Sequence, residues 1–285
     1  MVYGCIDIGS NTTRLLVAEV SGGRVRALAA RRIFTRIGAG GRVSPEKVAD
    51  TARVTAALAT EASEMGAQRI VLLGTAAVRE AANGDELRRE VEAAAGLPMR
   101  VLTGDEEAQL SFAGARQGLE DRVVERLGVV DVGGGSTELA TGGASGPAAW
   151  TASVPIGSST LCAGHLATDP PVAADLDAWR SAAETALDQV RPPPVDLALA
   201  VGGTATSLHR LTGPRLSAGA LRRALERLCE HPAEEAARRL ELDPERVALL
   251  PAGIALLGAV AARMGSELLP ARGGLREGAV LELAG

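Results

Sequence analysis

Two short stretches of this chain carry residue types that suit anion chemistry. Asp7-Ile8-Gly9-Ser10-Asn11-Thr12 and Asp131-Val132-Gly133-Gly134-Gly135-Ser136 share one grammar. In each, an apolar run ends in Asp-x-Gly, a small polar turn follows, and a second apolar run returns. A turn of this kind makes a concave nest of backbone N–H groups, glycine lets the backbone approach an anion, and hydroxyls add donors. The Asp at the strand end can hold a water or a magnesium ion against a bound phosphate. Taken singly, either turn is only a hairpin. The repeat at an offset of 124 residues is the informative feature.

Three further stretches belong with them. Thr103-Gly104-Asp105-Glu106-Glu107 opens a helix. Thr103 with Glu106 fits a capping box, yet one of the three acids could also orient and deprotonate a water. Arg79 follows a strand and could clamp a phosphate bidentately, or pair with Glu80 or Glu86. Gly202-Gly203-Thr204 ends a strand at a helix start, which suits either a phosphate contact or close helix packing. Gly273-Gly274-Leu275-Arg276-Glu277-Gly278 near the C-terminus is similar. Neither a Walker A motif nor GxGxxG is present. Lys47 is the only lysine beside 29 arginines. An anion site must therefore use backbone N–H groups, hydroxyls and arginine.

The elements that would position these residues follow from periodicity. Val2 to Ile8, Arg14 to Val20 and Arg24 to Ile37 read as an antiparallel meander. Ser44-Pro45 opens a helix reaching about Met65, with Ser44 as N-cap and Pro45 at the first helical position. A strand is expected at 69–73, a short helix at 75–82, a helix at 85–95, a strand at 99–102 and a helix from 105 to about 117. The pattern restarts near residue 127 with strands at 127–132 and 137–140. Helices are expected at 173–189, 206–211, 218–229 and 244–263, and a strand at 196–201. This repeat of architecture predicts two similar α/β domains, 1–124 and 125–285, facing each other across an interdomain cleft and hinged over the polar stretch 116–126.

Composition bounds the rest. Of 285 residues 46% are hydrophobic, enough for a core. Five aromatic residues and a net charge of −5 argue against a nucleic-acid binder. Cys5, Cys162 and Cys229 read as reduced core residues of a cytoplasmic protein. No stretch is expected to reach membrane-spanning length.

The motif set resembles the exopolyphosphatase/guanosine pentaphosphate phosphatase (Ppx/GppA) family. The matching stretches are IDIGSNTTRLLVAEV, GTAAVREAAN, LTGDEEAQLSFAGA, VVDVGGGSTEL, SVPIGSSTL, AVGGTATSL and GLREGAVL, in family order over residues 6–281. The resemblance implies two actin-like (ribonuclease H-like, ASKHA) domains. It implies Glu107 as general base, with Asp131 and Glu138 as acids linked to magnesium and to orienting water. It implies Asp7, Ser10, Asn11 and Thr12 as the first phosphate loop, and Gly133, Gly134, Gly135, Ser136 and Thr137 as the second. Arg79 is implied as phosphate clamp, and Gly202, Gly203 and Thr204 as a distal contact.

The chain looks like the short two-domain form, without a C-terminal helical domain. The implied activity is magnesium-assisted hydrolysis of the terminal phosphate of inorganic polyphosphate, with a monovalent cation left open. Guanosine pentaphosphate hydrolysis and a non-catalytic nucleotide- or phosphate-binding sensor remain as alternatives. No nucleic-acid or membrane partner is expected. A homodimer, common in the family, would lengthen a binding groove, which Arg31, Arg32 and Arg36 could line. A solvated strand edge is the other reading of those arginines.

Overall fold

The computed structural model describes residues 1–119, 124–164 and 168–285. The chain forms two compact units, Met1–Gln117 with Gly273–Gly285, and Gly118–Arg272. The sequence predicts the second domain over 125–285. The C-terminal segment instead returns to the first unit, because its helix buries an apolar face there. The expected hinge stretch lies in part outside the described residues.

The first unit runs β1 (Val2–Ile8), β2 (Thr12–Ser21), β3 (Arg24–Phe34), α1 (Pro45–Glu64), β4 (Arg69–Gly74), α2 (Ala76–Arg79), α3 (Gly84–Ala95), β5 (Met99–Val101) and α4 (Gly104–Ala115). Its sheet order is β3-β2-β1-β4-β5. The first three strands are antiparallel, and β4 and β5 join parallel. Alternation along each strand feeds two core layers. Ile6, Ile8, Leu15, Val17 and Leu72 pack with α1 and α3. Cys5, Leu16, Ala18 and Leu73 pack with Leu110 of α4 and with Ala279 and Val280 of the C-terminal helix. The α1 start is as expected: the Ser44 side chain accepts from the Lys47 N–H and Pro45 follows it.

The second unit runs β6 (Leu127–Val132), β7 (Thr137–Gly142), β8 (Trp150–Val154), α5 (Ser158–Gly164), α6 (Ala173–Ala186), β9 (Leu197–Val201), α7 (Gly202–Thr212), α8 (Ala218–Leu228), α9 (Ala233–Leu240), α10 (Pro244–Met264) and β10 (Leu268–Pro270). Its order, β8-β7-β6-β9-β10, repeats that of the first sheet strand for strand. The expected repeat of architecture is thus a repeat of topology. Periodicity did not single out β8, α5, α9 or β10, which are short. The expected helix at 75–82 shortens to α2, and α7 begins at Gly202 rather than near 206.

At 21 residues, α10 is long and apolar enough to cross a membrane by length and composition, contrary to the expectation for the sequence. Val247, Leu250, Leu256, Leu257 and Val260 of this helix are buried in the core of the second unit. The last helix, α11 (Leu275–Ala284), belongs to the first unit. It lies against α4, where Gly278 meets the main chain of Leu110 and Gly114 meets that of Gly274.

Candidate active site

In the first unit the turn between β1 and β2 closes with the Gly9 N–H donating to the Thr12 carbonyl at 3.1 Å. The segment after β3 braces it. The N–H groups of Thr35 and Arg36 donate to the Asn11 carbonyl at 3.1 and 3.0 Å, and that of Gly38 donates to Ser10 at 3.0 Å. A trans peptide points its N–H opposite to its carbonyl. With the Ser10 and Asn11 carbonyls held by the brace, the N–H groups of Asn11 and Thr12 point away from it.

Asp7 lies directly opposite Arg14 across β1 and β2. Arg14 donates from Nε to the Thr12 hydroxyl at 3.0 Å. The Asp7 Oδ1 is sealed from solvent and has no hydrogen-bond partner. Burial pushes the Asp7 carboxyl above the usual range, Arg14 and Arg276 pull it back, and Glu277 adds to the rise.

The acidic start of α4 resolves into separate roles. Thr103 and Glu106 form the capping box, and Glu106 also pairs with Arg100 at 2.8 Å. Asp105 is exposed. Glu107 is buried, 4% exposed, and pairs with Arg79. Arg79 sits at the end of α2 and also donates to the Leu102 carbonyl at 2.6 Å. Its contact with Glu80 is long, 3.5 Å, and Glu86 pairs with Arg42 instead. The buried acid and the partly buried arginine are therefore set together, a sealed carboxylate held against a guanidinium.

The second unit repeats the turn. The Gly133 N–H donates to the Ser136 carbonyl at 3.0 Å, and the position equivalent to Asp7 is Asp131. The brace here is the start of α5. The Ser158 N–H donates to Gly133 at 2.9 Å, and those of Ser159 and Thr160 donate to Gly134 at 2.9 and 3.1 Å. A Cβ on Gly157 would lie 2.4 Å from the Gly134 carbonyl carbon, so only glycine allows this approach. By the same peptide geometry, the N–H groups of Gly134 and Gly135 point away from α5. The sequence offered SVPIGSSTL as a motif but no role for it; its role in the fold is to hold the turn.

Asp131 lies directly opposite Glu138, and Glu138 opposite Ser153. Directly opposed residues share a sheet face. The Ser153 hydroxyl donates to Glu138 at 2.9 Å. Gly202 has φ +80°, and a Cβ there would lie 2.1 Å from the Asp131 Oδ1. A glycine is therefore required beside this carboxylate. Among the described residues no group of three or more His, Cys, Asp or Glu side chains is gathered. The donor set is two carboxylates on one face. That fits magnesium, which commonly takes one or two carboxylates and keeps waters and phosphate oxygens for the rest.

Two residues read as phosphate contacts do structural work with their hydroxyls. Thr137 is fully buried and donates to the Ile156 carbonyl at 2.7 Å. Thr204 is 2% exposed and donates to the Val132 carbonyl at 3.1 Å. Thr75 makes the matching bond in the first unit, to Ile8, also at 3.1 Å. In both halves a threonine after the fourth strand of the half ties down the end of the first. Ser10, Thr12 and Ser136 are also nearly buried, so the turns present main chain more than hydroxyls.

Two α/β units of one topology, each with an Asp-led turn at the end of its first strand, define the actin-like fold class. The chain belongs to the Ppx/GppA phosphatase family, whose model matches residues 16–285. It is a phosphatase, a hydrolase. Exopolyphosphatase 1 of Mycobacterium leprae is 31% identical over 234 residues, covering 76% of this chain and 67% of the relative. Exopolyphosphatase 2 of Mycobacterium tuberculosis is 33% identical over 223 residues, covering 72% and 69%. The crystal structure of the Aquifex aeolicus Ppx/GppA family member is similar over 100% of this chain and 97% of that one, with TM-score 0.83 and 26% identity. An exopolyphosphatase from Cytophaga hutchinsonii shares the fold at TM-score 0.85 and 21% identity.

Proposed function

We propose that this phosphatase is an exopolyphosphatase, releasing the terminal phosphate of inorganic polyphosphate by attack of water. The observation that carries the reading is the repeated turn. Each half offers one braced nest of main-chain N–H groups beside an Asp, and each nest by itself suits a phosphate group. The similarity to the mycobacterial exopolyphosphatases supports it. So does the scarcity of aromatic side chains to stack a guanine.

In this reading Glu107 accepts the proton of the attacking water. Arg79, bonded to Leu102, keeps that carboxylate in place and directs its guanidinium charge to the phosphoryl oxygens. The first turn binds phosphate through main-chain N–H groups with Asp7 beside it, and the second does so with the N–H groups of Gly134 and Gly135, on the turn that Gly133 and Ser136 close. Asp131 and Glu138 would hold magnesium, which when bound neutralises charge on the transferring phosphoryl group. Gly202, with no side chain, leaves room for the Asp131 carboxylate.

The test is phosphate release from a defined polyphosphate and from guanosine pentaphosphate, with and without magnesium. Glu107→Gln keeps the shape and removes the base. The expected loss is at least about 10²-fold in kcat, the low end for a general base. An equally active variant overturns the role of Glu107. Turnover of guanosine pentaphosphate alone overturns the substrate.

A further inference from the structure

The segment that braces the first turn carries a charge that its counterpart in the second unit lacks. We propose that Arg32 and Arg36 form a subsite for a non-terminal phosphate of an oligophosphate substrate. The proposal rests on the polyphosphate reading.

Four observations support it. First, Arg36 is built into the brace itself, its N–H donating to the Asn11 carbonyl at 3.0 Å. The guanidinium is therefore tethered within one side chain of the phosphate-binding turn. Second, Arg36 has φ +50°. That is a left-handed conformation which glycine or asparagine adopts at less cost, and such strain concentrates at ligand-binding positions. Third, Arg32 and Arg36 lie over one ring, their guanidinium carbons 5.2 and 5.7 Å from the centroid of Phe34. Stacking on a ring restricts both planes and lowers the ordering cost of gripping an anion. Fourth, Arg32 lies opposite Arg14, which lies opposite Asp7. Arg32 is thus on the sheet face that carries the carboxylate of the turn.

The matching row in the second unit reads Asp131, Glu138, Ser153, and its brace runs Gly157-Ser158-Ser159-Thr160. One topology thus carries carboxylates suited to a cation in one half and arginines suited to an anion in the other. The neighbouring Arg31 points to the opposite face and pairs with Glu61 of α1 at 2.7 Å. The basic character of β3 is therefore divided by function between its two faces. Both Arg32 and Arg36 are exposed, within reach of a ligand.

The test compares wild type with Arg32→Gln, Arg36→Asn and the double variant. Asparagine tolerates the left-handed conformation, so Arg36→Asn removes the charge while leaving the brace intact. Calorimetric binding of tripolyphosphate and of orthophosphate reads the subsite without turnover. Tripolyphosphate affinity should fall at least about tenfold in the double variant, the loss expected for one charge-assisted hydrogen bond, with orthophosphate affinity unchanged. Turnover of long polyphosphate should show KM raised by a similar factor and kcat within about threefold. Unchanged tripolyphosphate affinity, or equal loss for both ligands, overturns the subsite. A wild type that binds tripolyphosphate through these arginines but releases no phosphate from polyphosphate overturns the proposed activity and keeps the subsite.

Discussion

Replacing Gly278 by alanine sets two effects of known sign against each other. Gly278 is inside α11, where alanine is favoured over glycine by about 1 kcal/mol. Yet an added Cβ would lie 2.0 Å from the Leu110 carbonyl oxygen and 2.7 Å from its carbon, while real Cβ contacts essentially never fall below 3.0 Å. The obstacle is main chain of α4, not the end of a flexible side chain. The two helices must therefore part by about 1 Å. Overpacking of this kind costs about 1–3 kcal/mol, and a backbone obstacle belongs at the upper end. The expected net loss is about 2 kcal/mol, read as a lower urea midpoint at unchanged m.

Activity should fall as well. Leu110 lies one turn beyond Glu107, the proposed base, on α4, and a displacement near 1 Å at such a group can cost about 10²-fold. The expected pattern is a drop in kcat with KM less affected. The matched control is Gly258→Ala in α10, where a Cβ meets nothing within 4 Å. That variant should gain up to about 1 kcal/mol. A Gly278→Ala protein as stable and as active as wild type would refute the reasoning, because it would mean that α11 and α4 separate freely.

Two further outcomes follow from the charge environment. Asp7 has its carboxyl raised chiefly by burial, so the native state binds the proton more tightly than the unfolded chain and stability falls as pH rises through that range. Asp7→Asn should remove this slope and raise stability at pH 7 while lowering phosphate release; an unchanged pH–stability profile counts against the buried charge. Burial also raises the Cys162 and Cys229 thiols to about 11. Alkylation by iodoacetamide should be slow at pH 8 and accelerate towards pH 11, since only about one thiol in 10³ is then ionised at pH 8; fast labelling at pH 8 contradicts that burial.

Much of the fold was legible because the strands alternate or run apolar and the turns between them are glycine-rich. The Asp-x-Gly grammar at Asp7 and Asp131 marked both first strands, and Ser44-Pro45 and Thr103-Glu106 marked helix starts that the structure confirms. Short elements such as β10, three residues long, carry too little pattern to be read. The place of α11 was also hidden. Its glycines look like a phosphate motif, and only the approach to α4 shows that they serve backbone contact.

The acids of α4 mark the limit most clearly. Sequence alone determined that three carboxylates open this helix, that one Asp-led, glycine-rich turn begins each half, and that arginine supplies all but one of the basic side chains. Residue type by itself does not separate the carboxylates, because capping and catalysis ask for the same residue at a helix start; the capping-box spacing set Glu106 apart, and only the family resemblance singled out Glu107. Tertiary structure separated them. Glu106 turns back to cap Thr103, Asp105 is exposed, and Glu107 is buried against Arg79, which α2 brings from 28 residues away in the chain. The same holds for the braces of the two turns. Hydrogen bonds from Arg36 to Asn11 and from Ser159 to Gly134 join segments distant in the chain. Burial and non-local hydrogen bonding depend on how the strands pair, which no local pattern of residues specifies.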